Sequence, residues 1–151
     1  MRALTQQEAL DACYGGSLKG HIAAGYDELI QILGEPTFEG GPENKINYEW
    51  AVNYKGDIFY IYDWKVAPEW AKAQNEYEWH IGGEESASEF IFALHLRIQL
   101  LRANKGFEES SKGLRAPDVT ECERSIHKMH RTKALDSIET LQEQLDSLLL
   151  L

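Results

Sequence analysis

The stretch from Lys45 to Lys65 reads KINYEWAVNYKGDIFYIYDWK, and it decides the fold. Ile46, Tyr48, Trp50 and Val52 alternate with Asn47, Glu49, Ala51 and Asn53, and Ile58, Tyr60, Tyr62 and Trp64 repeat the pattern. Tyr54-Lys55-Gly56-Asp57 lies between the two runs. Period two, aromatic enrichment and a short Gly/Asp turn predict a β-hairpin. The second strand also carries Phe59 and Ile61 on its other face, which predicts a central strand covered on both sides.

Toward the N-terminus, Thr5-Gln6-Gln7-Glu8 has the spacing of a capping box, opening a short helix to about Cys13 that Gly15-Gly16 ends. Ser17 to Ile22 reads as a strand weakened by Gly20. Tyr26 to Leu33 places Leu29, Ile30 and Leu33 on one helical face, with Gly34 as C-terminal cap and Pro36 just beyond. Toward the C-terminus, Val66 to Asn75 reads as a linker. Tyr77, Trp79 and Ile81 then alternate as a third strand, stopped by Gly82-Gly83. The fold class expected is α+β: a small antiparallel β-sheet with flanking helices.

A second capping box, Ser86-Ala87-Ser88-Glu89, opens a helix to about Ala103. Its polar face carries His95, Gln99 and Arg102. Arg97 falls elsewhere: at about 100° per residue it lies about 340° from Phe90, among Ala93, Leu94, Leu100 and Leu101. A guanidinium on an apolar face is costly unless paired. It is either an internal ion pair or a contact for a phosphate or carboxylate, which the Arg fork suits.

Asn104 to Pro117, NKGFEESSKGLRAP, is Gly/Ser-rich and reads as a loop. Asp118-Val119-Thr120-Glu121 then reads as a third capping box. A long helix follows to about Leu148, with one stripe of Val119, Cys122, Ile126 and Met129 and another of Ile138, Leu141, Leu145 and Leu148. Such a helix is longer than a small sheet needs. Its second stripe is expected to pack on another chain or on the preceding helix, and the apolar LLLL end suggests an oligomer interface. The organisation expected is a single domain over 1–151: sheet with helices over 1–104, loop over 105–117, long helix over 118–148.

With 151 residues, 43% of them hydrophobic, the chain can build one ordinary core. No apolar run approaches the roughly 18 residues of a bilayer span, and MRALTQQEALDA lacks a signal-peptide h-region, so a cytoplasmic protein is expected. Cys13 and Cys122 form no CxxC and are expected as free thiols. The net charge of −10 is uneven: residues 97–133 hold nine Lys and Arg against five acids, a local +4, leaving −14 elsewhere. This is either two solvated faces of opposite sign or an anion site on an acidic body that repels nucleic acid and needs no membrane.

Glu123, His127 and His130 share a helix face, but Arg124, Lys128 and Arg131 oppose a divalent ion there, so no metal is expected. His21, His80 and His95 have no ligand spacing. There is no GxSxG, P-loop, HExxH or GxGxxG, and the acidic pairs read as solvated charge. No catalytic residue, enzyme activity or cofactor is expected. What remains is a set of aromatic rings and cations: Tyr48, Trp50, Tyr62, Trp64, Trp79, His80, Lys65, Arg97 and Arg115. They are either a sheet core or the stacking surface and phosphate clamp of a nucleotide site.

Taken together, YDELIQILGEPTFEG (26–40), KINYEWAVNYKGDIFYIYDWK (45–65) and EWHIGG (78–83) resemble a family of small phage proteins, the Thoeris anti-defence sponge proteins of the first type. Shared are a helix ending in a GxP turn, a hairpin with an EW strand and an IYDWK-like strand, and a WxIGG strand end. The resemblance covers about residues 17–100 and rests on the order and spacing of short motifs. The chain departs from it in the loop 66–77 and the extended C-terminal helix.

The resemblance implies immune evasion by sequestration. Such proteins bind cyclic ADP-ribose-type signals of bacterial immunity, some also cyclic di- or trinucleotides, in dimer-based homo-oligomers with the signal pocket between subunits. On that reading Arg97 and Arg115 clamp the pyrophosphate, Trp79 or Trp64 stacks on a base, His80 and Asn47 bond ribose or base edges, and Gly82-Gly83 let backbone approach a phosphate. The rival class is an acidic inhibitor that mimics DNA or binds a defence complex directly. A third is an assembly module whose long helix is its only business.

Overall fold

The structure, a computed structural model, describes residues 1–12, 16–40, 45–67, 69–83 and 87–150. In chain order the elements are α1 (Gln6–Asp11), β1 (Ser17–Ala24), α2 (Tyr26–Leu33), β2 (Phe38–Glu39), β3 (Tyr48–Tyr54), β4 (Asp57–Tyr62), α3 (Trp70–Ala73), β5 (Tyr77–Gly83), α4 (Ala87–Arg115) and α5 (Glu121–Leu149). The chain divides into two compact units, Met1–His95 and Leu96–Leu151. The class is α+β, an antiparallel sheet with flanking helices and a long C-terminal helix, as the sequence predicts.

In the first unit the sheet order is β1-β5-β4-β3-β2, antiparallel throughout. The expected hairpin is β3–β4, with Trp50 opposite Ile61 and Glu49 opposite Tyr62. Its turn holds Lys55 and Gly56 at φ 54° and 99°. Two successive positive φ values match the right-handed twist of the strands, and the second falls on glycine, which bears it without strain. β4 is the central strand.

One face of the sheet carries Trp50, Val52, Phe59, Ile61, Trp79 and Ile81, all fully buried. Tyr26, Leu29 and Leu33 of α2 and Phe90, Ala93 and Leu94 of α4 are buried too. Phe90 stacks flat on Phe59 at 4.5 Å, and Trp50 meets Trp79 edge-on at 5.2 Å. Each indole N–H has a carbonyl: Trp50 donates to Gly34 and Trp79 to Ala24, both over 2.9 Å. Two indoles can lie wholly in a core only because those donors are satisfied.

The opposite face is covered at one end by α1, where Ala9 packs with Ala51 and Tyr60, and Leu4, Phe38, Ile58 and Tyr62 gather round them. The Thr5 capping box is formed, and Arg2 adds a second hold on Glu8 through a 2.7 Å ion pair. The segment read as a linker over 66–75 contains the single turn α3, whose Ala71 is fully buried. The Ser86 capping box, Cys13 and Gly15 lie outside the described residues.

In the second unit, α4 turns back at Ala116–Thr120 into α5 as an antiparallel helical hairpin. Gly113 lies against the His127 ring, Phe107 lies under the Arg131 guanidinium, and Gln99, Arg102 and Ala103 share a groove with Asp136, Ser137, Thr140, Leu141 and Gln144. The expectation of a loop over 105–117 is corrected: α4 is helical to Arg115. Gly106, Gly113 and the serines lower helix propensity by at most about 1 kcal/mol each, and packing against a second helix outweighs that. At Gly113 a Cβ would collide with His127, so the residue that suggests a loop is the one that lets the helices close.

The N-cap of α5 is Thr120 with Glu123, two residues beyond the expected Asp118 box. Of the second stripe, Leu141 lies along the groove shared with α4 and Leu145 is buried. The first stripe is solvent-facing: Cys122, a free thiol, Ile126 and Met129 are all exposed. No helix among the described residues is long and apolar enough to cross a membrane.

Candidate functional site

Two grooves gather candidate residues, one in each unit. The first lies on the sheet face that α1 packs against, beyond the end that α1 covers. Its position follows from a polar clip at the ends of β3 and β4. Asp63 is fully buried and accepts three hydrogen bonds: from the Asn47 amide at 2.7 Å, the Asn47 Nδ2 at 2.6 Å and the Tyr48 amide at 2.9 Å. Nδ2 of Asn47 also donates to the Val66 carbonyl at 3.1 Å. Just past Asp63, Lys65 sits at φ 54° and its amide donates to the Lys45 carbonyl at 2.7 Å. A left-handed lysine persists only where its surroundings over-determine it. The clip therefore throws Trp64 outward, 38% exposed.

Trp64 then forms a groove of about 360 Å³ with Tyr60, Tyr62, Ile46, Glu49, Gly16 and Gly82. Lys45 and Lys65 hold their ammonium groups 5.8 and 5.5 Å from the Trp64 ring centroid. Burial, followed by the Glu49 charge, pushes the Tyr62 phenol up. Tyr62 also stacks on His80 at 5.4 Å. Burial, and after it the His21 imidazole, pulls His80 down. This groove offers flat rings with cations beside one of them, which suits a planar ring carrying negative charge.

The second groove lies between α4 and α5, about 470 Å³, lined by Phe107, Glu108, Ser111, Lys112, Leu114, Arg115 and Arg131. The α4 members recur at three- and four-residue spacing, so one helix face presents them. Arg131 of α5 lies over Phe107 at 5.2 Å. No carboxylate pairs with Lys112, Arg115 or Arg131 among the described residues. The Ser111 hydroxyl is buried with no partner. Three unpaired cations, a hydroxyl and an aromatic face are the parts of a site for a phosphorylated ligand.

Of the residues picked from sequence, Trp64 and Gly82 meet in the first groove, with His80 one ring away behind Tyr62. Arg115 lines the second. Trp79 is wholly buried on the other sheet face and cannot stack on a ligand, and Asn47 is spent on Asp63 and Val66. Gly83, at φ 132°, lets β5 pass so close to β4 that a Cβ would stand 2.7 Å from the Ile58 carbonyl; its bareness serves strand packing, not a phosphate. Arg97 is half-buried, with Nε out of water and without a partner, and no carboxylate among the described residues answers it.

Because α4 is one helix to Arg115, Arg97 and Arg115 lie about 27 Å apart along it at ~1.5 Å per residue. The two cannot grip one pyrophosphate within a single chain. Lys112, Phe107 and Ser111 escaped the sequence reading because the loop reading hid their helical spacing, which was the available signal; Arg131 reads as part of the long helix, and only the pairing of α4 with α5 brings it to Phe107. His21 escaped because only the β1–β5 register brings it opposite His80.

Compared with known proteins, the chain matches no family model, no curated protein and no solved structure.

Proposed function

We propose that this protein binds and sequesters a cyclic nucleotide immune signal, a cyclic ADP-ribose isomer or a cyclic di- or trinucleotide, without degrading it. It would act as a phage anti-defence sponge inside the infected bacterial cell. The observation that carries this reading is the cation set of the hairpin groove. On a chain of net charge −10, Lys112, Arg115 and Arg131 gather round Phe107 and a buried hydroxyl; Glu108 lines the same groove, and no ion pair joins it to them among the described residues, so the three cations outnumber the one acid. A ligand phosphate supplies the missing charge through short, charge-assisted bonds, and an Arg fork takes it bidentately. The base has a ring and a guanidinium plane at Phe107 and Arg131.

The unpartnered Nε of Arg97 supports a role in ligand contact, and the spacing along α4 then calls for two copies of the chain to bring Arg97 and Arg115 to one ligand. A dimer-based homo-oligomer follows. The test is capture and release: incubate the protein with the cyclic nucleotide product of an activated immune enzyme, filter, denature, and analyse the filtrate by mass spectrometry. Intact nucleotide in stoichiometric amount supports the sponge. A cleaved product makes the protein an enzyme, and no capture sinks the reading. Retention of a host protein at low salt, lost at high salt, with no nucleotide, would favour the acidic inhibitor instead.

A further inference from the structure

Two unfavourable features hold Trp64 out of the core. A fully buried carboxylate, Asp63, precedes it, and a left-handed Lys65 at φ 54° follows it. A non-glycine residue at positive φ is uncommon, and such strain gathers at ligand clamps. The result is an indole beside two ammonium groups, Lys45 at 5.8 Å and Lys65 at 5.5 Å from its centroid. The bond from the Lys65 amide to the Lys45 carbonyl ties the two lysines together past the strand ends. Both are exposed, and no carboxylate pairs with either among the described residues. Tyr62 meets Trp64 at 79° with centroids 6.3 Å apart, so the two rings make a corner. Gly82 keeps the space beside that corner open: a Cβ there would stand 3.5 Å from Cε1 of Tyr62 and 3.6 Å from Cδ2 of Tyr60, inside the groove. The groove holds about 360 Å³, within the range of small-molecule sites.

We propose that this corner is a separate binding site for a small planar aromatic anion, a ring of nucleobase or indole size that carries a carboxylate or a phosphate. The ring packs between the indole and the Tyr62 phenol, where offset or edge-on contact is favourable. Both lysine stems are flexible, so their heads turn from the indole to the anion and hold it by charge-assisted bonds. A cationic ligand fits worse, because two ammonium groups already stand at the indole. A long nucleic-acid strand fits worse as well: two lysines on a chain of net charge −10 make no track for its backbone. Glu49, opposite Tyr62, lines the groove too and gives it a polarity. Its carboxylate repels the acid of the ligand and accepts from ring N–H groups, so the acid lies toward the lysines. The site is built wholly from the sheet unit and does not depend on the nucleotide reading of the hairpin groove.

The test is proton–nitrogen NMR of the full chain, read at the four tryptophan indole N–H signals, with Trp64 assigned by its loss in Trp64→Leu. The probes are naphthoate and adenosine monophosphate, each beside its uncharged counterpart, naphthamide and adenosine. The expected result is a saturable shift of the Trp64 signal with one anion or both, at least about tenfold tighter than with the counterpart. The Trp50 and Trp79 signals should stay still, because both indoles are buried donors to backbone carbonyls. Naphthoate alone identifies a carboxylate ligand, the monophosphate alone a phosphate, and both together the shared chemistry. In calorimetry Trp64→Leu should weaken binding at least about tenfold. Lys45→Gln/Lys65→Asn should erase the preference for the charged probes; asparagine tolerates the left-handed backbone of position 65. A Trp64 signal that neither anion moves overturns the proposal. Equal binding of charged and uncharged probes does so too, as does affinity that ignores Trp64→Leu and falls with Arg115→Ala.

Discussion

Asn47 and Asp63 face each other at the ends of β3 and β4, joined by the Asn47 Nδ2 at 2.6 Å and the Asn47 amide at 2.7 Å. Both are buried, so the carboxylate answers donors that water cannot reach. Asp63→Ala strands the amides of Asn47 and Tyr48, and a buried donor left unpaired costs about 1–3 kcal/mol. The expected outcome is a loss of about 2–4 kcal/mol in chemical denaturation. The Trp64 fluorescence should shift as well, because the clip is what aims that indole. If Asn47→Ala instead leaves stability unchanged and abolishes ligand capture, Asn47 is a ligand contact and the clip is not its business.

The two tryptophans picked as stacking candidates separate cleanly. Trp79 fills the core and Trp64 stands outside it. Trp79→Ala should cost about 3–5 kcal/mol, as large aromatic deletions in a core do. Trp64→Ala should change stability by less than about 1 kcal/mol. Thermal denaturation of both variants decides it: equal losses would place Trp64 in the core as well.

The hairpin, the central position of β4, the two flanking helices and the third strand were legible because each is written as a local period. The α4 extension was not, because Gly106, Ser110, Ser111 and Gly113 obey a demand that comes from another helix. At Gly113 that demand is the His127 ring. For the site, Arg115 and Trp64 could be picked by residue type alone. Trp79 could not be told from a ligand contact, since alternation gives its strand face but not which face is covered. The His21–His80 pair needs the β1–β5 register, bulge included, which no single-strand pattern carries.

The Arg2–Glu8–Thr5 clamp makes a prediction about acid. The Arg2 hydrogen bond, with help from the Thr5 amide and hydroxyl, holds the Glu8 carboxyl down to about 2. Its folded value lies below its ordinary 4.5, so the fold favours the charged form. That contribution is complete above about 4.5 and fades as the pH falls through about 2. The protection of α1 amides, corrected for the intrinsic pH dependence of exchange, should fall over that window in the parent and stay flat in Glu8→Gln. The exposed pair should also weaken with salt.

The hairpin groove predicts a graded loss of ligand. Arg115→Ala should weaken nucleotide capture by about 10- to 100-fold, the equivalent of one charge-assisted bond of about 1.5–3 kcal/mol. Arg115→Lys should recover part of it, keeping the charge and losing the fork. Far-ultraviolet circular dichroism should be unchanged, because Arg115 ends its helix and has no internal partner to lose. An undiminished affinity in Arg115→Ala moves the ligand out of this groove.

Arg97 carries the sharpest choice. Its Nε is out of water, on a half-buried side chain, and no carboxylate among the described residues holds it. A guanidinium whose Nε is dry and unpaired adds no ion pair to the free protein, so removing it should not destabilise and can stabilise. Arg97→Ala is therefore expected to keep or raise the melting temperature while lowering ligand affinity at least about tenfold. Arg97→Met, which keeps the stem and drops the charge, should behave the same way. A chain that unfolds on Arg97→Ala but not on Arg97→Met would show that the aliphatic stem is what the fold uses. A chain that unfolds on both would show that the fold holds the charge itself, and Arg97 would leave the ligand set.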